Sequence, residues 1–140
     1  MKNILYTIIL CLLSINLLAE ERYSCTVDEF VTETVGDSSD HSEYIEKNLK
    51  KKFLINVMDN QILITALFNN QHSQSTYTIV SRGLVTTAAV NPLMEDIGLY
   101  DRFVIASNII PPLSKKVKAS IHTYSLTFIN VWFLNCSSSL

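Results

Sequence analysis

The segment from Lys116 to Thr123 alternates without a fault. Val117, Ala119, Ile121 and Thr123 fall on one side, and Lys116, Lys118, Ser120 and His122 on the other. A period of two marks a strand with one face buried; on a helix the same residues would scatter around the axis. The period recurs along the chain. Phe53, Ile55 and Val57 alternate with Leu54, Asn56 and Met58, and Ile62, Ile64, Ala66 and Phe68 resume the pattern. Shorter runs lie at 75–81, 84–90 and 102–106. The joints at Asp59-Asn60, at 69–72 and at Arg82-Gly83 carry the Asx and Gly residues that short hairpin connections favour. The first strand is expected from about Tyr23 to Val35, with its alternation broken near Glu29-Phe30, the mark of a bulge. The last, 126–136, is the most hydrophobic. It has Phe128, Trp132, Leu134 and Cys136 on one face and Ile129, Val131 and Phe133 on the other, so both faces are expected to be covered and Trp132 to pack in the core near Cys136.

Two interruptions read as helices. "DHSEYIEKNLKK" starts at Asp40 with Glu43 three residues on, a capping-box spacing, and Glu43–Lys47 and Glu46–Lys50 stand at i,i+4. Ile45 and Leu49 share its apolar face. "NPLMEDIG" offers Asn91 as cap, Pro92 at the first helical position and Gly98 as stop. Pro111-Pro112 forces an irregular connection, and the polar tail "SSSL" is expected to fray. The fold class that results is mainly β: a small antiparallel β-barrel or sandwich of about eight strands with one or two short helices.

The N-terminus bears on the compartment. Lys2 precedes an apolar run from Ile4 to Leu13, interrupted only by Thr7, and the chain turns to charge at Glu20-Glu21-Arg22 after Ala19. A basic start, an apolar core of this length and a small residue at the boundary form a secretory signal. A membrane-spanning helix needs about 20 apolar residues. Neither Ile9-Leu10 before Cys11 nor Tyr23-Ser24 before Cys25 provides the small-residue box of a lipid anchor. Residues 1–19 are therefore read as a cleaved signal peptide and 20–140 as a single antiparallel β domain. The address is export, to the periplasm of a Gram-negative bacterium or beyond it.

Of three cysteines, Cys11 leaves with the signal, and Cys25 and Cys136 remain. In an oxidising compartment two cysteines read as one disulfide, which brings the first and last elements together. The chain has 13 acidic and 11 basic residues, one of the latter being Lys2 of the signal. A mildly acidic chain is not suited to nucleic acid.

Catalytic signatures are missing. His41, His72 and His122 share no ligand spacing and each stands in a polar context. The acidic stretch around Asp37, Asp40, His41 and Glu43 lacks the alternate-residue spacing of a calcium loop. The basic clusters at 47–52 and 114–120 read as solvated faces, and three glycines build no phosphate loop. No catalytic residue, metal ligand or cofactor is assigned, and the chain is read as a non-enzyme. The function expected is a binding or interaction module of the cell envelope, engaging a protein or glycan and not integral to a membrane once the signal is removed. Its candidate surface is the 37–46, 91–101 and Pro111-Pro112 loops. The alternatives are a lipid or small-ligand carrier barrel, or an inhibitor of a cell-wall hydrolase.

The layout, with "YSC" near the mature start and "FLNC" near the end, is similar to that of periplasmic inhibitors of lysozyme. That group carries a Ser-Gly-x-x-Tyr-like stretch and a Lys-Gly turn on its inhibitory face. Here "SQSTYTI" at 73–79 has no Gly and "SRG" at 81–83 has Arg for Lys, so no inhibitory residue carries over.

N-terminal sequencing of the exported protein is expected to begin at or close to Glu20; a mature chain beginning at Met1 would overturn the signal reading.

Overall fold

A computed structural model describes residues 20–34, 41–106 and 116–139. Eight antiparallel strands form one closed barrel in sequential order. They are β1 (Glu21–Thr34), β2 (Lys52–Val57), β3 (Gln61–Phe68), β4 (Gln71–Arg82), β5 (Thr86–Val90), β6 (Tyr100–Ala106), β7 (Lys116–Tyr124) and β8 (Phe128–Ser138). Helix α1 (His41–Leu49) lies between β1 and β2, and the single turn α2 (Pro92–Glu95) between β5 and β6. The barrel is the first of the two architectures expected, because β1 pairs with β8 as well as with β2. The signal segment, Asp37, Asp40 and Pro111-Pro112 lie outside the described residues.

Local chemistry explains the connections. Asn69 and Asn70 both hold positive φ, 46° and 61°, and make a two-residue hairpin turn whose twist matches the flanking strands. Asparagine tolerates that conformation better than most residues. This tight turn lets β4 start at Gln71, earlier than its composition indicates. In α2, the Asn91 side chain accepts a hydrogen bond from the Leu93 N–H at 3.2 Å, with Pro92 following the cap. Gly98 closes the turn at φ 72°, where a side chain would be strained.

The seam between β1 and β8 is the longest pairing, running from Tyr23↔Ser138 to Thr34↔Phe128. Ser137 and Ser138, expected to fray, are held in it, and the Ser139 N–H donates to the Arg22 carbonyl at 2.9 Å. Cys25 and Cys136 face each other across the seam with Cα atoms 4.0 Å apart and are joined by a disulfide. Both are almost wholly buried. One residue of β1 is out of register: Val27 pairs with Leu134 and Glu29 with Phe133, leaving Asp28 as a bulge. Before it the odd residues Tyr23, Cys25 and Val27 face inward; after it Phe30 and Thr32 do. Asp28 itself projects outward, where Lys118 Nζ donates to its carboxylate at 2.9 Å and holds its pKa below the ordinary value.

The lumen is filled by side chains through most of its length. Ile55, Ile62, Phe103 and Leu134 have no exposed surface beside the disulfide. Outward positions on β4, such as Gln74, Thr76 and Thr78, are polar and exposed.

Replacing both Cys25 and Cys136 by Ser should lower the unfolding free energy by about 2–5 kcal/mol, read from urea denaturation. An unchanged midpoint would show that closure does not depend on the bond.

Candidate functional site

β8 is apolar on both faces, but only its inner face is covered. Outward-facing Ile129 and Phe133 keep 37% and 41% of their surface exposed. The sequence expectation that both faces are covered is therefore corrected: on a closed barrel nothing packs outside a strand unless a loop folds back, and no described loop does. Neighbouring strands extend the stripe. Val31 of β1 lies opposite Val131, and from β7 His122 lies opposite Val131 and Tyr124 opposite Ile129. Tyr100 of β6 lies opposite Tyr124, with ring centroids 5.9 Å apart. His122 ties the aromatic part together. Its Nδ1 is 2.9 Å from the Tyr124 hydroxyl, its Nε2 is 2.8 Å from Ser120 Oγ, and its ring meets Phe133 edge-on. Partial burial, and then the Arg102 guanidinium, lower the His122 pKa and keep the imidazole neutral near pH 7. Glu29 and Glu33 flank the stripe on β1, and Arg102 flanks it on β6. Leu126, 97% exposed in the β7–β8 turn, marks its upper end.

The inner face of β8 meets α1 at the same end of the barrel. Trp132 points inward with the parity of Cys136, as its position requires, but it is not beside the disulfide. It sits toward the α1 end against Phe30, with ring centroids 5.0 Å apart, and is only half-buried. Its Nε1 donates to Asn48 Oδ1 at 3.2 Å, and Asn48 Nδ2 donates to the Tyr44 carbonyl at 2.9 Å. The helix thus half-buries Ile45 as expected, but buries Asn48 and leaves Leu49 41% exposed, against the expected apolar face. The reason is hydrogen bonding: a half-buried indole N–H needs an acceptor, and leucine offers none. Asn130 Nδ2 donates to the Tyr44 hydroxyl and Thr32 donates to Asn130 Oδ1, fixing helix to barrel.

Below α1 a cleft of about 140 Å³ opens into the lumen. Phe53, Ile64, Ile121 and Trp132 form its apolar wall, and Lys51, Ser73 and Ser75 give it polar atoms. Lys51 Nζ lies 5.3 Å from the centre of the Trp132 ring. Behind the cleft, buried Asp101 accepts from the Tyr77 hydroxyl at 2.7 Å, from Thr123 Oγ1 at 3.0 Å and from Asn91 Nδ2 at 3.5 Å. Burial, and next the Asp101 charge, push the Tyr77 hydroxyl far above its ordinary pKa, so it remains a donor.

Of the residues singled out in the sequence, the two cysteines meet at the seam, but the three histidines do not converge on one site. His41 and His72 are exposed and apart, while His122 joins the stripe. The lysines of 47–52 divide: Lys47 and Lys50 pair with Glu43 and Glu46 at 2.6 Å each, and Lys51 enters the cleft. Of the three loops expected to carry function, only 91–101 is fully described, and its Leu93 and Ile97 are exposed. Among the described residues no three His, Cys, Asp or Glu side chains converge on a metal position. No described helix is long and apolar enough to cross a membrane. No protein-family model, no curated protein and no solved structure matches the chain.

Asn48→Ala should cost roughly 1–3 kcal/mol by orphaning the indole N–H. It should also make the single tryptophan easier to quench with acrylamide; unchanged quenching and stability would refute this role of the Asn48–Trp132 hydrogen bond.

Proposed function

We propose that this barrel is an exported, non-enzymatic binding module of the cell envelope, docking a partner protein on the outer face of β1, β8, β7 and β6. The observation that carries the reading is the run Ile129, Val131 and Phe133 on the outside of β8, where a solvated antiparallel sheet should be polar. Contiguous apolar surface with a polar rim is the mark of an interaction site. The middle of the stripe is aliphatic, with Val31 beside Val131. The imidazole nitrogens of His122 beside it are already engaged by Ser120 and Tyr124, which favours a protein over a glycan. The rim defines the partner further: basic groups toward Glu29 and Glu33, and an acidic group toward Arg102. The tyrosines and Phe133 are residue types that supply binding energy at protein interfaces. A disulfide-bonded barrel and a signal-like start are compatible with the periplasm of a Gram-negative cell.

The test is site-specific photo-crosslinking in the producing cell. A photoreactive residue at Val131 should yield one discrete adduct with a second protein, and the same residue at Thr76 on the polar side should not. Phe133→Glu should remove the adduct without lowering the melting temperature. Equal adducts from both positions, adducts insensitive to Phe133→Glu, or adducts only between copies of the barrel would overturn the reading.

A further inference from the structure

We infer that the cleft under α1 is a binding site for a small monocarboxylic acid with an apolar body of about six carbons, such as benzoate or hexanoate. The site is separate from the outer face and does not depend on it. Size sets the first limit. A volume of about 140 Å³ is close to that of an apolar protein cavity, ~150 Å³, that takes up benzene. It is too small for a long-chain lipid, and the rest of the lumen is filled.

The cleft exists because β4 carries small polar residues where its pattern calls for large apolar ones. Inward positions on this strand run Ser73, Ser75, Tyr77 and Ile79, and Ser73 pairs across the sheet with Ala66 and Ser75 with Ile64. Three small side chains, Ala66, Ser73 and Ser75, therefore stand where side chains would otherwise meet and fill the barrel end. Filling it would have been the stabilising choice. Ser73 and Ser75 make no side-chain hydrogen bond among the described residues, so both hydroxyls remain available.

Lys51 decides the sign of the ligand. It is half-buried, and burial lowers its pKa. Among the described residues it makes no ion pair, only the contact with the Trp132 ring. A carboxylate at the mouth would supply the counter-charge, while its apolar body lies against Phe53, Ile121 and Trp132. Asp101 does not reverse this preference. Its carboxylate is screened from the cleft by Tyr77 and Thr123, which both donate to it, so the wall presents hydroxyl oxygens rather than a bare anion.

The experiment titrates the full mature protein with sodium benzoate, benzyl alcohol and benzylamine. These share a ring and differ in charge. Binding is read from Trp132 fluorescence and from amide NMR shifts. Benzoate should saturate, benzylamine should bind at least about tenfold more weakly, and Lys51→Met should weaken benzoate by about tenfold while sparing benzyl alcohol. Ser73→Leu, at the solvent-facing rim, should abolish binding of all three; Ser75→Val provides the same block should Ser73→Leu fail to fold. No saturation by benzoate, benzylamine binding as well as benzoate, or indifference to Lys51→Met would overturn the assignment.

Discussion

Closure at the β1–β8 seam is the constraint on which the other features rest. An open eight-stranded sheet leaves two edges of unpaired N–H and C=O groups, and only closure removes both. Here the closing pair is the most remote in sequence, the bonded cysteines standing 111 positions apart. Bringing such distant segments together costs the most chain entropy of any pairing in the barrel. The seam is correspondingly long, and the disulfide sits inside it, buried and directly across the ladder. The covalent bond acts at the step the chain would otherwise find hardest to complete.

The bulge at Asp28 then decides what the seam presents. Without the extra residue, parity would turn Phe30 to solvent and Val31 into the lumen. With it, Phe30 faces in against Trp132 and Val31 faces out against Val131. One inserted residue therefore builds both the aromatic floor beneath α1 and the aliphatic centre of the outer stripe. That is the use bulges commonly have at barrel rims, where they re-aim a side chain. The ion pair of Asp28 with Lys118 is exposed and contributes little; the change of phase is what matters.

Much of this barrel was legible in the chain, and the failures share a cause. Alternation located most of the strands, because burying one face of a pleated sheet writes its period directly into the sequence, and β-forming composition and apolar runs located the rest. The break near Glu29-Phe30 marked the bulge. The cap at Asn91 and the stop at Gly98 rest on local chemistry that propensity captures. What alternation does not encode is the partner of each face. β8 read as covered on both sides since its outer residues are as apolar as its inner ones, yet a closed barrel has only one inside. Leu49 read as the buried face of α1 because apolarity was the criterion, whereas the contact is set by the Trp132 N–H, 84 residues away. The cleft was hidden for the same reason. Ser73, Ser75 and Lys51 look like ordinary surface residues until β3 and β8 are folded around them.

The two faces of β8 put opposite demands on one strand. Trp132 points into the cleft while Val131 and Phe133, its direct neighbours, point to the outer stripe. A strand that moved to suit one site would disturb the other. β8 meets these demands by being paired on both sides along nearly its full length, to β1 and to β7. Its side chains are further fixed from within by Asn48 and the disulfide. Side chains held this firmly would lose little conformational freedom in the binding proposed above, which is the advantage of a preorganised site. The polar residues in the interior are consistent with that role. Asp101, Asn130 and Asn48 are buried, each is hydrogen-bonded, and each lies toward the end of the barrel where the stripe and the cleft meet. Buried polar groups add little net stability, but satisfied networks specify one arrangement of the side chains around them. At the opposite end the lumen is apolar and simply packed. The barrel thus divides its length between a half that closes the fold and a half in which side-chain geometry is held fixed by hydrogen bonds.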